Sequence, residues 1–238
     1  MWAGSLGLLG LSTRKLRDAM DDTKIVPYMG VFGAFVFAAQ MINFTIPATG
    51  SSGHLGGGLL LAVLLGPWAA FLVIASVLVV LALLFADGGL LALGCNIWNL
   101  GVYPCFLAYP FLYRPLAGSG ESPGRLTAAA VVAAVVGLQL GAFSVVVETL
   151  LSGITALSFR SFVLFMQPIH LAIGIVEGLV TAGVVLAIRR IDPGAISAPA
   201  AGVRSGSFGT IVAVGAVLAL VTGGDLSWFA STHAEGLE

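Results

Sequence analysis

The chain has 238 residues, 58% of them hydrophobic and 9% charged, with ten Lys+Arg against eleven Asp+Glu and a mean hydropathy of +1.06. A soluble domain carries about 25% charged residues, so this chain lacks the charge to cover a water-facing surface. Its near-neutral balance also excludes the basic face that a nucleic-acid partner requires. The composition is that of an all-α polytopic membrane protein, and its 32 glycines suit membrane helices that approach one another closely.

In chain order, residues 2–11 are apolar but extend only about 15 Å as a helix, half the hydrocarbon thickness. A charged run from Arg14 to Asp18 follows. Residues 25–46 are long enough to cross a bilayer, and residues 47–53 form a turn-rich loop around Pro47. A short apolar helix over 55–65 is stopped by Gly66 and Pro67, a span over 68–86 is broken by Asp87, Gly88 and Gly89, and a span over 90–113 carries Pro104 and Pro110, which predict kinks. Cys95 and Cys105 lie in that last span, about 15 Å apart on a continuous helix and too far for a disulfide; they read as packing residues. After a polar loop at 118–124 come spans over 126–151 and 159–188, a Pro/Gly/Ser linker over 192–207, and a shorter apolar helix over 208–221.

Charge tests this order. If every segment crosses and the first runs inward, then Arg14, Lys15, Arg17, Lys24, Arg114, Arg125, Arg189, Arg190 and Arg204 are cytoplasmic and only Arg160 is external, as the positive-inside rule expects. Joining 55–65 and 68–86 into one crossing puts Arg114 and Arg125 on the other side. The pattern therefore favours six core helices between 25 and 190, with one helix on each side. It also places His54, Asp87, Asp225 and His233 at the outer face, Glu148 near the outer end of its helix, and His170 a third of the way into the next.

His54 is the leading metal-ligand candidate, because imidazole suits Ni, Co and Cu and the glycines around it let the backbone turn sharply beside an ion. The alternative is an interfacial histidine wetted by headgroups. His170 and Glu177 lie two turns apart on one helical face; ionisable groups within a span face a cavity or each other, so they form either a site wall or a buried polar lock, and Glu148 invites the same two readings. Gly30, Ala34 and Ala38 make a small-residue stripe that serves either internal packing or docking to a partner. The phosphate-binding Gly-x-x-x-x-Gly-Lys-Ser/Thr sequence and the His-Glu-x-x-His pair do not occur in the sequence, which argues against ATP bound on this chain and against a zinc hydrolase.

The run from Gly33 to Phe44, the Ser52-Gly53-His54-Leu55 loop, Leu65-Gly66-Pro67-Trp68, Asp87-Gly88-Gly89-Leu90, the stretch Ala92 to Asn99 and the stretch Pro168 to Gly178 together resemble the CbiM/NikM family over residues 1–193. These are substrate-binding S components of energy-coupling factor importers for cobalt and nickel. The tail from Ser227 to Glu238 is similar to a PDGLE-type accessory segment, with Ala234-Glu235 where that segment has Pro-Asp. This divides the chain into an S component (1–193), a linker (194–207) and a fused segment (208–238).

The resemblance implies Co²⁺ or Ni²⁺ as transported substrate, a multi-pass protein of the cytoplasmic membrane, and partners comprising a transmembrane coupling subunit and two ATPase subunits. It implies that His54 binds metal together with an N-terminal Met-His unit, and that Ala34 and Ala38 dock on the coupling subunit; from their chemistry and position, Asp87, Glu148, His170, Glu177 and His233 are candidates to line a cavity around that site. Here Met1 is followed by Trp2, and with the half-length first segment this leads to the expectation of residues before Met1. A gradient-driven metal permease, or an S component for another small substrate, is the competing reading.

Overall fold

The computed structural model describes residues 1–17, 25–119, 122–155 and 157–191. The expected linker, the fused segment, Asp225 and His233 lie outside the described residues. Helix α1 (Trp2–Arg17) ends on Arg14, Lys15 and Arg17, cations that suit a helix C-terminus. Its start is tied down: Trp2 Nε1 donates to the Leu91 carbonyl at 3.2 Å and Ser5 Oγ to that of Gly94 at 2.8 Å.

Helix α2 (Ile25–Gln40) stops six residues short of the span expected over 25–46. The remainder forms a strand, β1 (Asn43–Ile46), paired antiparallel with β2 (Ser51–His54), Asn43 opposite His54 and Ile46 opposite Ser51. β-Branched Thr45 and Ile46 favour extended backbone, and Pro47 pushes Ile46 out of the helical region. The turn uses positive φ at Ala48 and Gly50, and Thr49 Oγ1 bonds the Ile46 carbonyl at 2.8 Å. Ile46, fully buried, anchors the hairpin among Ala142, Val146, Phe162 and Met166.

The short α3 (Gly58–Leu65) is buried at every position. Gly66 joins it to α4 (Pro67–Leu84). After a loop over 85–92, α5 (Leu93–Ile97) runs into a wide-turn helix (Trp98–Tyr113) and α6 (Arg114–Ala117), with helical backbone angles at both junctions. Pro104 and Pro110, expected to kink this segment, sit within the wide turns, where Arg114 N–H bonds the carbonyl of Tyr109, five residues back. Five-residue spacing and the missing proline N–H groups go together, since both depart from the regular ladder.

Helix α7 (Pro123–Ser152) opens on Ser122, whose side chain accepts from Arg125 N–H, and closes at Gly153 with φ 71°; these are favoured start and stop residues. Helix α8 (Phe159–Ile191) runs back along it. Gln139 Nε2 donates to the Gln167 carbonyl at 2.9 Å, and Gly174 and Gly178 face Val135 and Val131, where a side chain on Gly178 would meet the Val131 backbone. This spacing of small residues brings the two backbones together. Helices α4, α7 and α8 are each long and apolar enough to cross a membrane, and α2 is a shorter apolar helix.

The antiparallel pair gives the bundle two distinct ends. Arg189 and Arg190 at the end of α8 lie with the start of α7, where Arg125 Nε donates to the Leu116 carbonyl at 2.6 Å. The other end carries the hairpin and the loops at 85–92 and 153–158. Gly178→Leu is expected to lower the melting temperature and folded yield in detergent, whereas Gly183→Leu, with open space around its position, leaves both near wild type; melting curves of the two variants check this.

Candidate metal site

Beyond β2 the chain turns inward: Gly56 to Gly66 is buried throughout. Backbone polar groups at membrane depth need partners from the protein itself. Two distant side chains supply them. Gly56 N–H donates to Glu177 Oε2 at 2.7 Å and Gly57 N–H to Glu177 Oε1 at 3.1 Å, while Gln40 Nε2 donates to the Gly56 carbonyl at 2.7 Å. Gly57 has φ 74°, and a Cβ there would stand 2.6 Å from Val36, so both backbone angle and space demand glycine.

His54 stands at the head of this run. Its Nδ1 lies 2.9 Å from the Leu55 carbonyl; a carbonyl only accepts, so Nδ1 carries the proton and Nε2 keeps the free lone pair. His170 repeats the arrangement, with Nδ1 2.8 Å from the Met166 carbonyl. Both rings line one cavity of about 490 Å³, together with Asp87, Cys95, Asn99 and Glu148.

The structure thus brings His54, Asp87, Glu148 and His170 to the walls of one cavity, although among the described residues no three of His, Cys, Asp and Glu converge closely enough to hold an ion. Glu177 does not line this cavity. It lies beneath, 4% exposed, and holds the loop. His233 lies outside the described residues.

Sequence reasoning passed over Asn99 and gave Cys95 only a packing role. They are one helical turn apart on the same face. Asn99 Nδ2 donates to Glu148 Oε2 at 3.0 Å, and Cys95 lies near the same carboxyl on the cavity wall. Asn99 Oδ1 and Glu148 Oε1 are buried with no partner among the described residues. The i, i+4 spacing was the available signal, but nothing local links it to a carboxylate on α7.

The small-residue stripe is on the outside. Gly30 and Ala34 are exposed and Ala38 half-buried, and nothing lies within 4 Å of the place a Gly30 side chain would occupy.

A bundle of helices long and apolar enough to cross a membrane, with an inward-running glycine loop and His, Asp and Glu side chains around one end cavity, has the architecture of a membrane transport protein. The chain belongs to the CbiM family, described as the cobalt uptake substrate-specific transmembrane region, whose model matches residues 1–195. It is 38% identical over 197 residues to a protein of Archaeoglobus fulgidus assigned as the fused nickel transport protein NikMN, covering 83% of this chain and 63% of that one, so the chain spans less than two thirds of that relative. It is 34% identical to a protein of Haloquadratum walsbyi assigned to metal transport, over 81% of this chain and 84% of the relative. A crystal structure of a transition metal transporter superposes with a TM-score of 0.72 at 30% identity, over 81% of this chain and 88% of that one.

Gly57→Ala is expected to destabilise the protein by about 1–3 kcal/mol, combining positive-φ strain with the collision at Val36. Gly50→Ala, at φ 66° but with open space around it, should cost only the conformational share, about 1 kcal/mol. Denaturant titration of both variants in one detergent separates the two contributions.

Proposed function

We propose that this chain captures Ni²⁺ or Co²⁺ at the outer face of the cytoplasmic membrane for an ATP-driven importer of the energy-coupling factor type, with His54 as a metal ligand. The observation that carries this reading is the state of His54: Nδ1 is taken by the Leu55 carbonyl, which leaves Nε2 free on a ring that lines the cavity. Neutral imidazole suits both metals, and the family description and the fused relative name cobalt and nickel respectively. One imidazole is an incomplete site. His170, Asp87 and Glu148 line the same cavity and stand around the ion on this reading, and His233 in the tail is a candidate for a further ligand.

Capture is favoured over a conducting path by what lies beneath the loop. The space bordered by Gly56, Asn99, Pro104, Leu138 and Glu177 amounts to about 10 Å³, room for about one water. A permease needs a polar route through the midplane, and the small space beneath the loop offers little support for one. On this reading, movement of the ion inward calls for work done by a partner. The sequence carries no phosphate-binding loop, so that work comes from a transmembrane coupling subunit and two ATPase subunits. The exposed Gly30, Ala34 and Ala38 stripe supports close approach of a coupling-subunit helix at α2. Residues 208–238 add a fused accessory segment on this reading.

His54→Ala is expected to abolish Ni²⁺ and Co²⁺ binding in detergent-solubilised protein that still melts cooperatively; calorimetric titration measures it, and undiminished binding removes His54 from the site. Ala34→Leu and Ala38→Leu are expected to prevent co-purification with the coupling subunit while metal binding stays at the wild-type level. In proteoliposomes, uptake should require the ATPase partners, and gradient-driven uptake by this chain alone would replace the proposal with a permease.

A further inference from the structure

The contact between Glu177 and the glycine loop does more than satisfy buried backbone. Gly56 N–H and the Leu55 carbonyl are the two edges of a single peptide group, and no cis peptide occurs among the described residues, so they point in opposite directions. On one edge Gly56 N–H meets Glu177 Oε2 at 2.7 Å. On the other the Leu55 carbonyl meets His54 Nδ1 at 2.9 Å. One hydrogen-bonded chain therefore runs from a carboxylate on α8, through one peptide plane, to the inner nitrogen of the imidazole.

We propose that Glu177 is a positioning residue for the His54 metal ligand and acts on it across the Leu55–Gly56 peptide. The inference rests on the reading of His54 as a ligand. Metal-binding histidines ordinarily give their second nitrogen to a carboxylate or a carbonyl, which fixes the tautomer and ring orientation and raises ligand basicity. Here a carbonyl performs that role, and its own peptide is polarised from the far side by a carboxylate, because linked hydrogen bonds strengthen one another in a low-dielectric interior.

Four features hold the chain in place. The second Glu177 oxygen accepts from Gly57 N–H at 3.1 Å, so the carboxyl group cannot rotate away from Gly56. Gln40 grips the Gly56 carbonyl at 2.7 Å from α2, fixing the next peptide along. Glu177 and Gln40 are 4% and 0% exposed, so bulk water does not compete for either contact. The neighbouring Gly56 would bring a Cβ to 3.2 Å from Glu177 Oε2, so the peptide and the carboxylate are already at closest approach.

The test uses the whole chain in detergent with Ni²⁺ as the probe. Glu177→Gln preserves side-chain volume and one acceptor oxygen but sets an NH₂ group against the second backbone N–H. Ni²⁺ affinity is expected to fall about 10–100-fold, the range for losing a partner of a ligating histidine, with the melting temperature within a few degrees of wild type. Wild-type affinity in Glu177→Gln, alongside loss of binding in His54→Ala, would overturn the inference and leave His54 a ligand. Undiminished binding by His54→Ala would overturn the ligand reading itself. A second measurement does not depend on how the Glu177 variant folds: in metal-free wild-type protein with ¹⁵N-labelled histidine, the resonances absent from His54→Ala should report a protonated Nδ1 and a bare Nε2. The opposite tautomer would show that the chain through Leu55 is not formed, and the proposal fails.

Discussion

The architecture turns on one constraint: a stretch of non-helical backbone lies buried inside an apolar bundle, away from bulk water. Each buried, unpaired backbone donor costs about 1–3 kcal/mol, and Gly56 and Gly57 present two such donors. Their acceptors come from a single side chain, Glu177, supplied by the middle of α8. Gln40, from the last turn of α2, answers the carbonyl between them. The loop, α2 and α8 are thereby locked to each other, and everything at the cavity end is referenced to that lock.

Around it the elements divide the molecule along its long axis. The hairpin, the loop after α4 and the turn between α7 and α8 gather the polar and ionisable side chains at one end, over a cavity of about 490 Å³. Towards the other end α3 is buried on every side, and the wide-turn helix presses Pro104 and Leu100 against the base of the loop. The basic residues Arg125, Arg189 and Arg190 collect there. A molecule built this way is open at one end, where the polar side chains line the cavity, and closely packed around α3.

Much of this was legible in the residues. Gly66-Pro67 and Asp87-Gly88-Gly89 mark helix boundaries because their backbone preferences act locally, and the structure puts boundaries at those places. The glycines around His54 announced an unusual backbone beside a metal-type ligand, and the scarcity of charge announced the membrane. The segment over 25–46 misled, because its continuous hydrophobicity conceals the change from helix to strand after Gln40. A buried strand and a buried helix look alike when every position is apolar.

By itself, then, the sequence determined the class, the order of the apolar segments and the short set of side chains able to meet a metal. Tertiary structure alone decided which of them meet. Glu177 reaches Gly56 across 121 residues of chain, Asn99 reaches Glu148 across 49, and Ala34 turns out to face away from the bundle. The physical reason lies in the membrane helices themselves. A helix in water shows its inner face by an apolar stripe, whereas helices that are apolar all round carry no such mark. Which face turns inward is then set by close packing, such as Gly174 and Gly178 against α7, and by the need to pair buried backbone groups, and neither can be read from one segment at a time.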